Sequence, residues 1–441
     1  MSTEYYTLLA ANLKTPVNSL SRLAIARGVS PGEDKLRQSH VYEFALTAES
    51  LYFEKSVRFQ DIVFSTLYDL TIGHSGLLVT NILQVSTFFT HHGGVEKSVN
   101  DLVHGLKLDH DVKVLCTRSG AGTTVENEDG VEVTSVGSAI SLSGRPVALR
   151  FPHELRRKTA DVVHYHLPFP LAAGSHLLAS PRAKLSVATW HHDLVRNPTF
   201  NRCIKPMMEA FLDRMDLILV TAPPMIEHVE LLYRRRKKCR VVPLGIAHHH
   251  FEKIDGIQKS DSQRRPMLLF VGRLVYYKGC DVLIKSLANV DADLSIVGEG
   301  PLENELKELV ESLGLAERVK FYGRLPDDQL FILYKECDIF VLPSTLPTEC
   351  FGLVQVEAML CGKPIINTDL PTGVPWVSIH NETGITVPPA NIPALTAALD
   401  KLCRNEELRH RFGQAAKLRS MNFFTLEKHV ETVRNLYQEY L

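Results

Sequence analysis

The sequence predicts an α/β protein with two doubly wound parallel sheets, and three observations indicate this fold class. Short strands rich in β-branched residues alternate with helices from about residue 81 onward, which is typical of parallel sheets covered on both faces. The chain has 441 residues, and a single hydrophobic core rarely serves so long a chain. A mostly polar stretch at 247–266 divides the strand and helix pattern. We therefore predict two Rossmann-like domains, at 81–246 and 267–420.

The composition excludes several classes of protein. The hydrophobic fraction is 45% and the charged fraction 22%, and no apolar run approaches the roughly 20 residues that span a membrane. The first residues lack the charged and then apolar pattern of a secretory signal. Eight cysteines are scattered without a C-x-x-C pair, which favours reduced thiols over disulfides or zinc. We expect a cytoplasmic protein.

Charge is distributed unevenly along the chain. Residues 81–245 carry a net charge of +5 and residues 246–441 a net charge of −5. The densest basic patch is the arginine and lysine run at 234–238. A basic first domain favours an anionic membrane surface or a diphosphate-bearing acceptor. The alternative is a solvated run of loop charges, and the sequence leaves both open.

The first 80 residues carry no recognisable chemical motif. The stretch 61–68 is apolar enough for a strand or a buried helix. We treat residues 1–80 as an appendage of unknown role.

In the first domain, a glycine turn follows the first strand. Gly93 and Gly94 precede a helix at 95–105, where glycines let the backbone approach a ligand and free helix amides attract an anion. In a doubly wound sheet the ligand crevice lies beyond the carboxyl ends of the strands. The predicted strands are 82–86, 112–115, 131–133, 161–164, 185–189 and 217–220.

Two histidine-bearing stretches follow strands of this domain. His166 lies shortly after one strand, and His191 and Asp193 follow the next. Histidine and aspartate at strand ends can bind sugar hydroxyls, because these groups offer hydrogen-bond donors and acceptors. The alternative for each histidine is a cap on its own loop. Neither stretch has convincing zinc spacing.

The second domain opens with an apolar strand at 267–271 and a basic loop. Arg273 and Lys278 flank the loop that follows Gly272. Arginine gives planar forked contacts and lysine a mobile point charge, so the two can hold a diphosphate. They would also stabilise the charge that grows on a leaving phosphate. Further predicted strands are 294–297, 319–321 and 339–342, and the segments 392–402 and 405–440 are predicted to be helical.

The most informative stretch is 348–364. It predicts a loop carboxylate, a helix at 351–360, a left-handed glycine at Gly362 and a buried strand at 364–367.

Two glutamates in this stretch lie eight residues apart. Free amides at the helix start, near Phe351, Gly352 and Leu353, make an anion site suited to a diphosphate. Glu349 before the helix and Glu357 within it could then bind hydroxyls on either side of the diphosphate. A nucleotide-sugar has that layout of sugar, two phosphates and ribose. The alternative is that both glutamates are solvated surface acids.

Taken in order, the glycine turn, the basic loop, the paired glutamates and the Glu-Ala-Met-x-Cys-Gly-Lys-Pro stretch that begins at Glu357 resemble the retaining glycosyltransferases of family 4. That family has the GT-B fold, which implies that the two Rossmann-like domains face a central cleft, and the resemblance covers about 81–441. It implies a nucleotide-sugar donor in the second domain and an acceptor in the first. It also implies a terminal helix, at 421–441, that crosses back to the first domain.

The resemblance implies roles for individual residues. Arg273 and Lys278 would stabilise the leaving diphosphate, and Glu349 would bind the transferred sugar. His191 would contact the donor sugar, Glu357 the ribose. Acceptor contacts would come from His166 and Asp193. The other predicted donor contacts are Gly93, Gly94, Gly272, Arg324, Leu325, Phe351, Gly352 and Leu353, with Arg324 and Leu325 near the base.

Two stretches resemble a smaller group of proteins within this family. Gly-Arg-Leu-Val-Tyr-Tyr-Lys-Gly and Pro-Thr-Gly-Val-Pro-Trp look like bacterial mannosyl- or rhamnosyltransferases of surface polysaccharides, including lipopolysaccharide. This likeness implies GDP-mannose as donor and a saccharide or lipid-linked saccharide as acceptor, with peripheral contact at the inner membrane surface. It implies no metal, no cofactor and no nucleic acid. Asp291 and Asp293 imitate a metal motif but lie away from the other motifs. Ala247 departs from the family, which commonly has an aspartate there, and weakens any assignment at the hinge.

Two other functions stay open. One is a different nucleotide-sugar enzyme of the same architecture, such as a 2-epimerase. The other is a non-catalytic binding subunit that keeps the cleft. No convincing pair of catalytic carboxylates supports glycoside hydrolysis.

Overall fold

The computed structural model describes residues 79–89, 93–138, 140–142, 145–192, 198–248 and 264–441. The chain from Leu78 to Leu441 forms one compact unit. The predicted appendage lies outside the described residues up to residue 78, and the predicted linker lies outside them at 249–263. None of the helices within the described ranges combines the length and the apolar character that crossing a membrane requires.

The first half of the chain forms a mostly parallel sheet. Its strands are β1 (Asn81–Val85), β2 (Asp111–Ser119), β3 (Thr123–Glu128), β4 (Val131–Ser138), β7 (Val162–Leu167), β8 (Leu185–Trp190), β9 (Leu217–Val220) and β10 (Cys239–Val241), and a separate hairpin contains β5 (Ile140–Leu142) and β6 (Arg145–Val147). The sheet order is β10-β9-β8-β7-β1-β2-β4-β3. Its neighbours are parallel except β3 and β4, which are antiparallel.

The second half forms a parallel sheet with the order β13-β12-β11-β14-β15-β16. These strands are β11 (Met267–Val271), β12 (Asp293–Val297), β13 (Val319–Phe321), β14 (Ile339–Leu342), β15 (Ile365–Thr368) and β16 (Gly384–Val387).

Helices connect the strands. In the first half they are Gly94–Leu106, Phe151–Arg157, Pro170–Ala179, Pro198–Arg214, Pro223–His228 and Glu230–Tyr233, with a 3-10 turn at Arg236–Lys238. In the second half a 3-10 turn at Tyr276–Lys278 precedes the helices Cys280–Leu287, Glu303–Ser312, Asp327–Glu336, Leu353–Leu360, Val374–Val377, Ile392–Arg404, Glu406–Phe423 and Leu426–Tyr440.

Except at the exposed edge strand β3, both sheets are buried on two faces, which confirms the predicted doubly wound architecture. Along β11, Leu268 and Phe270 pack into one hydrophobic cluster, whereas Leu269 and Val271 pack into another. Successive side chains of a strand point to opposite faces, so each face of this sheet has its own core. The apolar runs in the sequence therefore correspond to strands covered by helices on both sides.

Each sheet reverses its strand order at one strand. In the first sheet β1 lies between β7 and β2, and in the second sheet β11 lies between β14 and β12. Connections leave such a strand toward opposite sides, which opens a crevice at its carboxyl end. The loops after β1, β7, β11 and β14 are therefore those best placed to bind a ligand.

The helix Leu426–Tyr440, called the crossover helix below, packs against the first half of the chain. At Gly105 an added Cβ would lie 2.3 Å from Val430 Cγ2 of the crossover helix. Because glycine has no Cβ, the crossover helix can pack this closely against helix Gly94–Leu106. His429 Nδ1 lies 2.7 Å from the Pro243 carbonyl oxygen, which accepts a hydrogen bond from it. The crossover helix thereby covers one core of the first sheet.

The chain passes between the two halves near Ile246 and again near Phe424, and these two segments run side by side. Ile246 donates its amide hydrogen to the Phe424 carbonyl at 2.9 Å, and Leu426 donates to the Ile246 carbonyl at 3.0 Å. This short bridge interrupts the segment predicted as one helix at 405–440, which is two helices in the structure.

One predicted helix begins later than expected. The prediction placed its start at Phe351, but the helix spans Leu353–Leu360. Gly352 has φ 71°, a left-handed conformation that a right-handed helix does not contain. An added Cβ there would also lie 2.6 Å from Leu342 Cδ2. Glycine was expected to serve the ligand here, but it also allows the chain to pass close to β14.

Candidate active site

Lys278 and Glu349 form an ion pair at the carboxyl ends of β11 and β14. Their side chains are only 14% and 10% exposed. Ser344 Oγ donates a second hydrogen bond to the same Glu349 carboxylate, at 3.1 Å. The two charges are 71 residues apart in the chain and meet because β11 and β14 are neighbours in the sheet.

Glycine and backbone contacts hold this pair in place. Gly279 follows Lys278 with φ 67°, and an added Cβ would lie 2.1 Å from the Pro343 carbonyl oxygen. Only glycine therefore allows the loop after β11 to approach the loop after β14 this closely. The Glu349 carbonyl oxygen accepts a hydrogen bond from Thr372 Oγ1 at 2.9 Å. The carboxylate thus sits on a loop that is fixed from both sides.

Arg273 lies in the same loop as Lys278 but is exposed. Its side chain makes no hydrogen bond or ion pair with another described residue. The aliphatic stem of Lys278 passes 3.6 Å from the point that a Cβ would occupy at Gly272. The predicted cations thus have different surroundings, since Lys278 is paired and Arg273 is available to an anion.

The helix Leu353–Leu360 begins next to the ion pair. Its first amides, from Leu353 onward, follow the left-handed Gly352 and precede the first intrahelical hydrogen bonds. The Phe351 ring, in contrast, is buried in the core against Trp376 and Phe424. Of the predicted contacts here, Phe351 can meet a ligand only through its backbone.

Glu357 lies on this helix and has partners from both halves of the chain. Tyr334 OH donates to Glu357 Oε2 at 2.7 Å, and Lys97 Nζ lies 3.5 Å from Glu357 Oε1. Burial lowers the pKa of Lys97, but the negative charges of Glu357, Asp327 and Asp101 outweigh burial, and the net shift is upward. Burial, and then the charge of Glu357, raise the pKa of Tyr334 far above its usual range.

The first half contributes a pocket of about 180 Å³ at the carboxyl ends of β1 and β7. It is lined by the loop after β1, by Gly94 at the start of a helix, and by His166 and His192. Gly93 precedes the helix with φ 98°, in the region that favours glycine. The structure therefore brings the predicted glycine turn and His166 to one pocket.

His166 and His191 are hydrogen-bonded to each other. His166 Nδ1 lies 3.0 Å from His191 Nε2, and His166 Nε2 lies 2.8 Å from Gln84 Oε1. Both imidazoles are buried. Burial, and then the neighbouring histidines, lower the pKa of each well below its usual value. Asp193, predicted beside them, lies outside the described residues.

Arg324 and Leu325 follow β13 at the edge of the second sheet. Arg324 is exposed, and Leu325 is half-buried against a core cluster. The preceding glycine accepts a backbone hydrogen bond from Gly298 at 2.7 Å, which joins this turn to the turn after β12. Their predicted contact with a base stays a prediction.

Charged motifs outside the cleft are paired within the protein. Asp291 and Asp293 both face Arg265, at 2.7 and 3.8 Å. In the basic run, Arg234 and Arg235 pair with acids of neighbouring helices. Within the described ranges, three or more His, Cys, Asp or Glu side chains nowhere cluster in a way that could hold a metal ion.

The sequence analysis missed four side chains that complete these contacts. They are Gln84 on β1, Lys97 on the helix after the glycine turn, Tyr334 on helix Asp327–Glu336 and Tyr437 on the crossover helix. The Tyr437 hydroxyl accepts a hydrogen bond from Gln84 Nε2 at 3.3 Å. Only Lys97 carried a usable signal, as a cation three residues after Gly94. The others are a glutamine and two tyrosines that resemble ordinary buried positions.

Comparison with known proteins matches both halves of the chain. The family described as "Glycosyltransferase Family 4" matches residues 92–250, and "Glycosyl transferases group 1" matches residues 252–419.

Individual proteins also resemble this chain, in sequence or in fold. O-antigen chain mannosyltransferase C of Escherichia coli is 32% identical, over 63% of this chain and 75% of its own. D-rhamnosyltransferase WbpZ of Pseudomonas aeruginosa is 34% identical, over 60% of this chain and 70% of its own. A sucrose-phosphate synthase from Thermosynechococcus elongatus shares the fold with a TM-score of 0.66 at 20% identity, over 81% of this chain and 98% of its own. The chain belongs to glycosyltransferase family 4, a family with the GT-B fold.

Proposed function

We propose that this glycosyltransferase moves mannose from GDP-mannose onto a glycan or lipid-linked saccharide, with retention of configuration at the anomeric carbon. The observation that carries the proposal is the contact of Lys278 with Glu349 beside the first amides of helix Leu353–Leu360. A cation, a carboxylate and free amides at one point fit the junction between a sugar and its diphosphate.

Arg273 and Lys278 bind the diphosphate in this proposal. Arg273 supplies an exposed guanidinium, while Lys278 exchanges part of its contact with Glu349 for a phosphate oxygen. The amides at Gly352 and Leu353 add neutral donors. Together they stabilise the negative charge that develops on the diphosphate as the bond to the sugar breaks.

Two carboxylates bind the hydroxyls at either end of the donor. Glu349, freed in part from Lys278, binds the transferred sugar, and His191 contacts the same sugar. Glu357 binds the ribose through Oε1, because its Oε2 already accepts from Tyr334. Arg324 and Leu325 contact the base in this proposal.

The acceptor binds on the side of the first sheet. The pocket beside Gly94, His166 and His192 has room for part of a sugar, and Asp193 belongs to the same loop in sequence. The acceptor hydroxyl attacks the anomeric carbon from the leaving-group face and passes its proton to the departing phosphate oxygen. One carbon–oxygen bond forms as another breaks, and the configuration is retained.

The named relatives support the choice of sugar. One transfers mannose and the other D-rhamnose, by their names, and rhamnose is the 6-deoxy form of mannose. We therefore place GDP-mannose first and the GDP-linked deoxy sugar second. A polysaccharide or lipid-linked acceptor would bring the enzyme to the cytoplasmic face of the membrane. The internal pairing of Arg234 and Arg235 leaves less free positive charge for that contact than the sequence predicts.

A donor screen tests the proposal. Calorimetry with GDP-mannose, GDP-rhamnose, UDP-glucose and dTDP-rhamnose should show binding of a GDP-sugar at least about tenfold tighter than the others. Transfer to a lipid-linked saccharide should then proceed in the presence of a chelator, because the cationic side chains take the place of a metal. NMR of the product should show the anomeric configuration of the donor.

The same assay separates the other functions. Epimerisation of the donor without an added acceptor would indicate a 2-epimerase. Binding without any turnover would indicate a non-catalytic subunit.

A further inference from the structure

A chain of buried hydrogen bonds runs from the crossover helix to His191. Tyr437 OH lies 3.3 Å from Gln84 Nε2, Gln84 Oε1 lies 2.8 Å from His166 Nε2, and His166 Nδ1 lies 3.0 Å from His191 Nε2. Each of these side chains is at most 5% exposed. The chain connects residues of β1, β7, the loop after β8 and the last helix of the protein.

The Gln84 amide gives this chain a direction. Its Nε2 can only donate and its Oε1 can only accept. With Oε1 facing His166, His166 Nε2 must carry a proton. A neutral imidazole has one N–H, so His166 Nδ1 is an acceptor. His191 Nε2 must then carry the proton that His166 accepts.

A second branch agrees with this direction. Tyr437 OH accepts from Gln84 Nε2, so its own proton points to His164 Nδ1, 2.5 Å away. His164 Nε2 then carries a proton and donates to Thr189 Oγ1 at 2.6 Å. Burial, and then the neighbouring histidines, lower the pKa of His164 to about 3, and the pKa values of His166 and His191 are lowered too. All three rings are therefore neutral near pH 7.

With the hydrogen bonds running in this direction, one hydrogen-bond acceptor of His191 has no donor. With its proton on Nε2, His191 has a bare lone pair on Nδ1, and Nδ1 is buried without a hydrogen-bond partner among the described residues. A buried polar atom without a partner is unfavourable and points to a function or to a missing partner. An acceptor fits a sugar hydroxyl, which can donate, and does not fit a phosphate oxygen.

We propose that Gln84 and Tyr437 are positioning residues that act through His166 to hold His191 in the Nε2–H form, which leaves Nδ1 to accept a hydrogen bond from a hydroxyl of the donor sugar. Docking of the crossover helix is thereby coupled to the chemistry of the cleft. The tautomer follows from the hydrogen-bond geometry together with the neutrality of the buried rings. Its use toward the sugar rests on the proposed function.

The tautomer can be measured on the full-length protein without substrate. Long-range proton–nitrogen correlation spectra with 15N-histidine distinguish protonated from unprotonated ring nitrogens, and comparison with His191→Asn identifies the His191 signals. We expect the proton on Nε2. A proton on Nδ1 would show that the chain runs in the opposite direction and would overturn the proposal.

A matched pair of variants tests the role of the crossover helix. Tyr437→Phe keeps the ring and removes the hydroxyl, so the Gln84 amide can turn over and reverse the chain. His191 should then populate both tautomers, and kcat/KM for the donor should fall in proportion to the Nε2–H fraction that the spectra show to be lost, by up to roughly tenfold. Wild-type spectra and kinetics in this variant would contradict the proposal.

Tyr165→Phe is the control. Tyr165 is equally buried and its hydroxyl lies 2.8 Å from His176 Nδ1, outside the chain to His191. This variant should leave the His191 tautomer unchanged and kcat/KM within about twofold. An equal loss in both variants would show that any missing tyrosine–histidine contact acts through general stability. If neither protein transferred sugar, the spectra would still decide the tautomer, and only the proposed function would fail.

Discussion

Lys278 and Glu349 neutralise each other's charge where the loops after β11 and β14 meet. Both side chains are largely buried. Removing one member of such a pair leaves the other charge without its partner, which costs more than the pair contributes when intact. A change at either residue therefore acts on stability as well as on the reaction, and a test has to measure both.

We expect Lys278→Ala to reduce turnover at least about 100-fold, because it removes a cation from the leaving diphosphate. The unpaired Glu349 should also lower the free energy of unfolding by about 1–3 kcal/mol. Steady-state kinetics and urea unfolding measure the two effects. Lys307→Ala, which breaks an ion pair within one helix, is the control. A near-normal rate in a folded Lys278→Ala protein would refute the proposed role.

Glu349→Gln keeps the size of the side chain and removes its charge. We expect transfer to fall roughly 10- to 100-fold, while affinity for the free nucleoside diphosphate changes by less than about threefold, because Glu349 contacts the sugar. Steady-state kinetics measures the rate of transfer, and calorimetry measures the affinity for the nucleoside diphosphate. The exposed Glu382→Gln should change neither. Equal losses of transfer and nucleotide affinity would count against the assignment.

At the scale of elements, helix Gly94–Leu106 contacts both halves of the molecule. Its Lys97 reaches Glu357 on helix Leu353–Leu360, and its other end packs under the crossover helix through Gly105. The glycine turn, the proposed ribose contact and the crossover helix are therefore linked by one rigid element.

A double-mutant cycle measures the contact between these helices. For Lys97→Met and Glu357→Gln we expect a coupling free energy of about 0.5–1 kcal/mol at low salt, since Lys97 is partly exposed. Salt near 1 M should remove most of it. Urea unfolding of the four proteins gives the value. As a control, the same cycle on Lys285 and Asp281, which pair within one helix, measures the coupling free energy of an exposed ion pair. No coupling at low salt would mean that the contact does not join the helices in solution.

Buried histidines make stability depend on pH. Burial lowers the pKa of His164 to about 3 and of His429 to about 4, and burial together with Arg214 lowers that of His176 to about 4. In the unfolded chain each returns to about 6.5. Between these values the unfolded chain binds more protons, so the folded state is fully favoured above about pH 6.5 and loses stability as the pH falls.

We therefore expect the free energy of unfolding to fall by up to about 1.4 kcal/mol per pH unit for each of these histidines between about pH 6 and pH 4. Urea unfolding at several pH values gives the slope. His176→Gln should make the slope shallower, whereas the exposed His153→Gln should not. Stability that rises on acidification would contradict this.

At the scale of the whole molecule, both sheets and the crossover helix belong to one compact unit that begins at Leu78. We therefore expect removal of residues 1–76 to leave the unfolding temperature and donor affinity unchanged, because a compact unit with its own hydrophobic core can fold alone. Calorimetry on the shortened protein and on the full chain makes the comparison. An unfolded or insoluble product would show that the removed segment belongs to the core.

Much of this architecture could be predicted from local sequence. Most strands of both sheets are apolar runs, because a doubly wound sheet buries both faces of its inner strands. The antiparallel edge strand β3 is polar and mostly exposed, and no apolar run predicted it. Gly93, Gly279 and Gly362 have positive φ, and each follows or precedes a predicted element. The helix near Phe351 was misplaced by two residues, since the sequence alone did not show that Gly352 is left-handed and presses against β14.

By itself, the sequence determined the fold class and the family, and it pointed to Arg273, Lys278, Glu349 and Glu357 as candidate charged residues, because strand periodicity and short motifs depend on neighbouring residues. Only the tertiary structure decided which of them meet. Lys97 and Glu357 are 260 residues apart, and Gln84 and Tyr437 are 353 apart. Such contacts depend on strand order and on the path of the crossover helix, and no local pattern records either.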